Sequence, residues 1–180
     1  MPKYFAFLRA VNVGGRNVTM ERLRLLFEGW GFSDVKTFIA SGNVLLSAPG
    51  AEPDEIETLI EAELQKALGY RVDTFLRSPE DLVRIASHRP FGQDDPGPGH
   101  ALHVGFLKSP PGTERLKGLE RYRDEVDDFQ TVGREFFWLC RGRVSDSDFS
   151  GSVLEKLIGA PATFRNVTTV RKMAAFPRST

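Results

Sequence analysis

Cysteine is nearly absent from this chain of 180 residues, and Cys140 is the single copy. One thiol cannot form a disulfide within the chain, and such low cysteine usage predicts a cytoplasmic protein. Histidine is also scarce, with only His88, His100 and His103. A metal site needs several convergent ligands, so this scarcity predicts that the protein holds no metal.

Long apolar runs are missing as well, and none approaches the length that crosses a membrane. The first residues lack the charged start, apolar run and small-residue cleavage site of a secretory signal. Lys plus Arg and Asp plus Glu number 24 each, so the formal net charge is zero. Broad electrostatic binding to nucleic acid or to a membrane surface needs a basic excess, and this balance disfavours both.

The rest of the composition is typical of a globular protein, with 41% hydrophobic and 27% charged residues. The length fits one domain or two small ones. Phenylalanine occurs 14 times and predicts an aromatic-rich core. The segment from Arg165 onward carries Arg171, Lys172 and Arg178 but no acidic residue, so a local basic patch is compatible with the neutral total.

The predicted order of elements in the first half is strand, helix, strand, strand, helix, strand. Residues 3–9 form a strand that is apolar on both faces, which predicts a central place in the sheet. Thr19 is the predicted cap of the first helix, and Gly31 and Gly69 end the two helices. This order is that of the ferredoxin-like fold, in which the first and third strands are neighbours. The remaining elements are predicted at 35–39, from Val44, from Pro53 and at 72–76.

The second half repeats this order from Ala101, although its closing strand is supported only by residues 162–164. A capping box at Ser78–Asp81 predicts a helix to about His88, and Asn166 is the predicted cap of a last helix. We therefore predict an α+β fold of two ferredoxin-like (βαββαβ) subdomains in tandem, the second with an incomplete closing strand and a C-terminal helix. The predicted boundaries are 1–89 for the first subdomain and its connecting helix, 90–100 for a Pro- and Gly-rich linker, and 101–180 for the second.

The loop after the first strand is unusual, because a buried strand runs directly into two arginines, two asparagines and a glycine pair. Gly14 and Gly15 permit positive φ and close approach to the backbone. Arg9 and Arg16 could each donate two hydrogen bonds to a phosphate or carboxylate. The next helix directs its free N–H groups toward the same loop. These features predict a binding site for a small anion.

The predicted topology places a second polar segment beside this loop. In a βαββαβ unit the first strand ends at the sheet edge where the second and third strands turn, so Ser41, Gly42 and Asn43 should lie near Asn12. The alternative is that both segments are ordinary connections, since Gly and Asn favour strand-to-helix loops and Ser-Gly-Asn suits a hairpin. Neither the Walker A spacing nor G-x-G-x-x-G is present, so no nucleotide fingerprint is met.

Three segments at 7–17, 37–44 and 163–170 resemble the signatures of a bacterial family known as domain of unknown function 1697. In that family a glycine usually stands where this chain has Ala10, and a lysine where it has Arg16. A glutamine usually precedes Ser-Gly-Asn, where this chain has Ala40. Alanine and tryptophan usually flank the Arg-Asn pair, where this chain has Phe164 and Val167.

The resemblance implies two related α+β subdomains and no established activity. It also adds Arg165 and Asn166 to the candidate site, with Asn166 capping a helix and Arg165 facing the ligand. The alternative, held equal, is that Asn166 only caps the helix while Arg165 makes a salt bridge between domains.

The sequence thus predicts that an anionic small molecule, such as a phosphorylated metabolite or a nucleotide, binds in a cleft between the halves. The alternative is a nucleic-acid or protein interaction module that uses its sheet faces, including the aromatic run 136–138. In that case the loop, hairpin and Arg-Asn motifs have only a structural role. No general base, nucleophile or cofactor signature stands out, and whether the protein is an enzyme and how it assembles are left open. The predicted site comprises Arg9, Asn12, Gly14, Gly15, Arg16, Ser41, Gly42, Asn43, Arg165 and Asn166.

Overall fold

The structure is a computed structural model, and it describes residues 1–39 and 42–176. The chain divides into two compact units, Met1–Asp81 and Leu82–Thr180, so the division falls inside a helix at 79–87. The predicted linker at 90–100 lies within the second unit, and its role as a linker stays a prediction. Within the described residues, every helix is too short or too polar to cross a membrane.

The first unit contains one four-stranded antiparallel sheet and two helices. The strand order is β2-β3-β1-β4, with the first strand between the third and the fourth. This is the order of a ferredoxin-like unit, and it confirms the predicted fold class. Its elements are β1 (Lys3–Leu8), α1 (Met20–Gly29), β2 (Ser33–Phe38), β3 (Asn43–Ser47), α2 (Pro53–Leu68) and β4 (Thr74–Arg77).

Local signals set the ends of both helices. The Thr19 hydroxyl accepts a hydrogen bond from the Arg22 amide and caps α1 at 3.1 Å. Pro53 stands at the first position of α2, where its missing N–H leaves no bond unmade. Gly69 ends α2 in the left-handed conformation, with φ of 82°. These predicted helix limits are therefore confirmed.

The core of the first unit lies between the sheet and the two helices. Ala6 and Leu8 of β1 pack in one cluster with Phe27 of α1 and Ile60 of α2. Phe7 projects from the opposite face of β1, because side chains alternate along a strand, and it is buried as well. Both faces of β1 thus carry buried side chains, as its uninterrupted apolar sequence predicts.

The second unit has the same topology, with strand order β6-β7-β5-β8. The closing strand was expected to be incomplete, but β8 pairs with β5 over five residues, from His103 opposite Asn166 to Leu107 opposite Ala162. Arg165 interrupts the apolar pattern of this segment and hides the strand in the sequence. The elements are α3 (Pro79–Ser87), β5 (Ala101–Leu107), α4 (Thr113–Leu116), β6 (Asp127–Val132), β7 (Glu135–Cys140), α5 (Gly151–Ile158), β8 (Ala162–Asn166) and α6 (Val167–Ala174).

Aromatic rings fill the core of the second unit. The Phe149 ring lies 4.6 Å from the ring of Phe129 and 5.0 Å from that of Trp138, centroid to centroid. The centroid of the Phe136 ring lies 5.8 Å from that of Phe149. Edge-to-face and tilted pairs at these distances add to the stabilisation from burial alone. The aromatic-rich core expected from the phenylalanine content is present here.

A histidine on β5 makes the stability of this core depend on pH. The His103 ring stacks on Trp138 at 5.3 Å, and its Nδ1 atom is buried with no hydrogen-bond partner among the residues that the structure describes. Burial lowers the pKa of His103 from its ordinary value of 6.5. As the pH falls below 6.5, the unfolded chain therefore takes up a proton before the folded chain does, and folding loses free energy.

We expect His103→Phe to flatten the acid side of the stability profile. Phenylalanine keeps the stacking on Trp138 but does not titrate, so the part of the loss that begins near pH 6.5 should disappear. Thermal unfolding of both proteins between about pH 5 and pH 8 measures this. Equal slopes for the native protein and the variant across this range would contradict the assignment.

Candidate functional site

Hydrogen bonds hold the loop between β1 and α1 in one conformation. The Asn12 Oδ1 atom accepts from the Val18 amide at 2.6 Å and thereby closes the loop from within. The Tyr70 hydroxyl donates to the Val11 carbonyl at 2.8 Å, from the segment that leads into β4. Asn12 thus has a structural task in the loop, and its predicted place in the binding site stays a prediction.

The hairpin between β2 and β3 contacts this loop, as the predicted topology required. The Leu8 amide donates to the Gly42 carbonyl at 2.8 Å. Gly42 has φ of 74°, and a Cβ added there would come within 2.9 Å of Val11 Cγ1 and 3.0 Å of Leu8 Cβ. Glycine is therefore required at position 42 both by its backbone conformation and by the space around it.

Asn43, the first residue of β3, is buried. Its Nδ2 atom donates to the Phe38 carbonyl at 3.2 Å and ties the two strands together beside the turn. The backbone of Asn43 lies opposite Phe7 in the sheet. Ser41, which was predicted to belong to the site, and Ala40 lie outside the described residues.

The tip of the loop is exposed and open. Gly14 and Gly15 have φ of 65° and 81°, and no atom lies within 4 Å of a Cβ added to either. In the part of the chain that the structure describes, their amides have no hydrogen-bond partner. The backbone at these two residues is therefore accessible to a ligand from outside.

Two arginines belong to this loop. Arg16 is exposed, and its guanidinium carbon lies 4.0 Å from the centre of the Tyr70 ring. Such a cation–π contact restricts the side chain while leaving its edge accessible. Arg9 is half-buried, and its amide donates to the Asp73 carbonyl at 2.9 Å. The structure thus brings Arg9, Asn12, Gly14, Gly15, Arg16, Gly42 and Asn43 to one end of the sheet in the first unit.

Sequence reasoning missed Tyr70 and its neighbour Arg71. Tyr70 supports both Val11 and Arg16, which are distant from it in the sequence. Arg71 is exposed and forms an ion pair with Asp73, at 2.8 Å between Nη2 and Oδ1. No local sequence pattern indicates a role for either residue. Both follow Gly69, which ends the helix, and are typical of a loop.

The two predicted residues of the second unit lie side by side on β8. The Asn166 Oδ1 atom accepts from the Thr168 amide at 2.9 Å and caps α6 as predicted. Arg165 is buried, and its Nη1 atom donates to Thr163 Oγ1 at 2.7 Å and to the Phe164 carbonyl at 2.8 Å. Burial lowers the pKa of Arg165 to about 10, so the side chain stays charged at neutral pH. Their contact with a ligand stays a prediction.

A buried arginine in the first unit corresponds to Arg165. Arg77 lies opposite Phe5 on β1, and Arg165 lies opposite Val104, the matching residue of β5. The Arg77 Nη1 atom donates to the carbonyl of the preceding Leu76 at 2.8 Å, which is the contact that Arg165 makes with Phe164. The repetition of this arrangement favours a structural role for Arg165 over a role in binding.

Other polar clusters are occupied by structural contacts. Asp127 accepts from Trp138 Nε1 at 2.8 Å and from Ser147 Oγ at 2.7 Å. Burial raises the pKa of the Cys140 thiol, which suits a packed rather than a reactive cysteine. Within residues 1–39 and 42–176, no three His, Cys, Asp or Glu side chains converge as metal ligands would.

The sequence matches, over residues 1–137, a family described as a protein of unknown function (DUF1697). The chain therefore belongs to the DUF1697 family. A solved structure described as the conserved bacterial protein SP0830 from Streptococcus pneumoniae is similar to it, with a TM-score of 0.70 over 97% of each chain. The two sequences are 19% identical, so this likeness concerns the fold alone. No curated protein matches the sequence.

Ala10→Gly is expected to stabilise the protein. Ala10 has φ of 55°, a left-handed conformation that costs a residue with a Cβ atom about 1 kcal/mol. After the entropy that glycine adds to the unfolded chain, the net gain should be about 0.5 kcal/mol. Denaturant unfolding measures it, with Ala51→Gly, at an exposed position outside the left-handed region, as the control that should lose stability. A loss of stability in both variants would show that position 10 carries no strain.

Gly42→Ala is expected to act in the opposite direction. The added methyl group meets both Val11 and Leu8 and also requires a left-handed alanine, so the hairpin must move away from the loop. We expect a loss of about 2–4 kcal/mol in the free energy of unfolding. Gly50→Ala, where no atom lies within 4 Å, is the matched control and should change stability little. Similar losses at positions 42 and 50 would refute the close contact.

Proposed function

We propose that the first unit of this DUF1697 protein binds a small molecule with a phosphate or similar oxyanion group. The ligand contacts the tip of the β1–α1 loop, where Gly14 and Gly15 offer their amides and Arg16 offers a guanidinium group. Arg9 adds positive charge at the base of the same loop. The proposal is for binding, and phosphorylated metabolites and nucleotides are the ligand class it names.

The observation that carries this proposal is the comparison of the two repeats. In the second unit the Leu107 amide donates to the Arg134 carbonyl at 3.0 Å, as Leu8 does to Gly42 in the first. The loop that follows Leu107 reads Lys-Ser-Pro-Pro-Gly and has neither an asparagine nor a glycine pair. The same junction therefore forms without Gly14, Gly15 and Arg16, which frees these residues for another task.

The chemistry of the loop tip agrees with an anionic ligand. Amides in a left-handed turn form a concave group of donors that suits an oxyanion. The ring of Tyr70 restricts Arg16 before any ligand arrives, which reduces the entropy lost on binding. Among residues 1–39 and 42–176, no general base or nucleophile stands out beside these donors, so the proposal names no reaction.

The alternative is an interaction module that uses the sheet faces, and it has less support. Phe136, Phe137 and Trp138 of β7, the rings that would stack on bases, are all buried. A stacking role requires exposed rings. The zero net charge also disfavours a nucleic-acid partner. The cytoplasmic location suggested by the single cysteine belongs to the proposal as well.

A thermal-shift screen against nucleotides, sugar phosphates and carboxylates tests the proposal. A true ligand at ten times its Kd should stabilise the native protein by about 1.4 kcal/mol. Arg16→Gln should remove most of this stabilisation, while the free protein loses no more than the exposed cation–π contact with Tyr70, about 0.5–1 kcal/mol. Lys117→Gln, an exposed change of equal charge in the second unit, is the control and should respond like the native protein.

Two results would overturn the proposal. One is a clean negative across all phosphate compounds, and the other is an equal response in the native protein and in Arg16→Gln. Arg165→Gln and Asn166→Ala, tested in the same screen, show whether the second unit contributes. A variant that loses stability in the free protein by as much as in the ligand-bound protein has a structural role only.

A further inference from the structure

A cavity of about 370 Å³ in the second unit is lined by two arginines. Arg89 follows the end of α3, and Arg171 lies in the last turn of α6. Ser87 and Gln93 line the same cavity and carry neutral donors, while alanines and Val83 form the rest of its wall. The described part of this lining contains no carboxylate. The guanidinium groups of Arg89 and Arg171 therefore both line the cavity, and no carboxylate in its described wall balances their charge.

Arg89 is held in place by the end of α3. Its Nη1 atom donates to the Ala86 carbonyl at 2.8 Å and to the His88 carbonyl at 3.1 Å. These bonds satisfy carbonyl groups that the helix end leaves without partners. They use one nitrogen of the guanidinium group and fix its charge beside the cavity.

Among the described residues, Arg171 has fewer hydrogen bonds to fix its side chain than Arg89 has. Its Nε and Nη2 atoms are buried and have no hydrogen-bond partner in the described chain. These two nitrogens form one edge of the guanidinium group, the edge that grips a carboxylate or phosphate with two parallel bonds. A buried charged donor without a partner is unfavourable, so this edge is better satisfied by an acceptor that the chain does not supply.

Electrostatics point in the same direction. Partial burial and, second, the positive charge of Arg89 lower the pKa of Arg171. A bound anion would be attracted by both guanidinium groups, and this attraction would offset the repulsion between them. A helix-end role does not explain the arrangement, because Lys172 in the same turn is exposed and already offers a positive charge to the helix dipole.

We propose that Arg89 and Arg171 form a second oxyanion site, which takes a phosphate or carboxylate group into this cavity. The site lies wholly within the second unit and does not depend on the site proposed at the β1–α1 loop. The volume is at the lower end of the range for ligand pockets and suits a small anion. Because the Nε and Nη2 atoms are enclosed, the Arg171 side chain turns this edge toward the anion when it binds. Arg178, also in the basic C-terminal segment, lies outside the described residues.

The test compares thermal unfolding in chloride buffer with unfolding in inorganic phosphate or in acetate, at equal ionic strength and constant pH. In chloride, Arg171→Gln should be at least as stable as the native protein, because it removes two buried guanidinium nitrogens that have no partner in the described chain. In the stabilising anion the order should invert, with the native protein the more stable. The apparent Kd for that anion should rise about tenfold to a hundredfold in Arg171→Gln.

Three further variants sharpen the result. Arg171→Lys keeps the charge but loses the two-pronged edge, so it should keep only part of the response. Lys172→Gln removes an exposed charge from the same turn and should respond like the native protein. Arg16→Gln should keep the whole response of the Arg89–Arg171 site, which separates this proposal from the one at the β1–α1 loop. The phosphate and acetate arms tell which oxyanion the site prefers.

The proposal is overturned if neither anion stabilises the native protein, or if Arg171→Gln responds as strongly as the native protein does. It is also overturned if Arg171→Gln is less stable by the same amount in chloride and in both anions. That last result would assign Arg171 to the end of α6 as a structural residue.

Discussion

One backbone hydrogen bond, from Leu8 to Gly42, sets the geometry on which the candidate site depends. It joins the end of β1 to the turn between β2 and β3, so it fixes where the following loop leaves the sheet. The contact leaves no room for a Cβ atom at position 42, and together with the left-handed backbone there it explains the glycine. With this end of the sheet fixed, Asn12 and Tyr70 can hold the loop itself.

The duplication separates what the fold requires from what it does not. Both units contain the bond between the first strand and the hairpin, and both contain a buried arginine that donates to the carbonyl before it. A buried polar residue also opens the third strand in each, Asn43 opposite Phe7 and Glu135 opposite Phe106. The exposed glycine pair and Arg16 occur in the first unit alone. In a family without an assigned activity, this internal comparison is the firmest ground for a proposal of function.

Much of the fold could be predicted because its signals are local. The cap at Thr19, the proline that opens α2 and the glycine that ends it act within one helical turn, and the neighbouring position of the β1–α1 loop and the hairpin follows from the order of elements. Two features could not be predicted in this way. The full length of β8 was hidden because Arg165 is charged, and its burial depends on strand neighbours far away in the sequence. Tyr70 was missed for the same reason, since it meets Val11 across 59 positions.

The sequence by itself determined the repeated βαββαβ plan, the limits of most helices and the set of polar residues that gathers at one end of the first sheet. Apolar periodicity, caps and glycines carry that information because each acts on nearby residues. Only the tertiary structure decided which polar side chains are used internally and which are open to a ligand. Asn12 and Asn43 bond to nearby backbone groups, and Gly42 packs against Val11 and Leu8 of a distant segment. In the described chain the amides of Gly14 and Gly15 have no such partner, and Arg16 is exposed. Which hydrogen bonds a side chain makes, and how much room it has, depends on its neighbours in the folded protein. The order of residues along the chain does not show these neighbours.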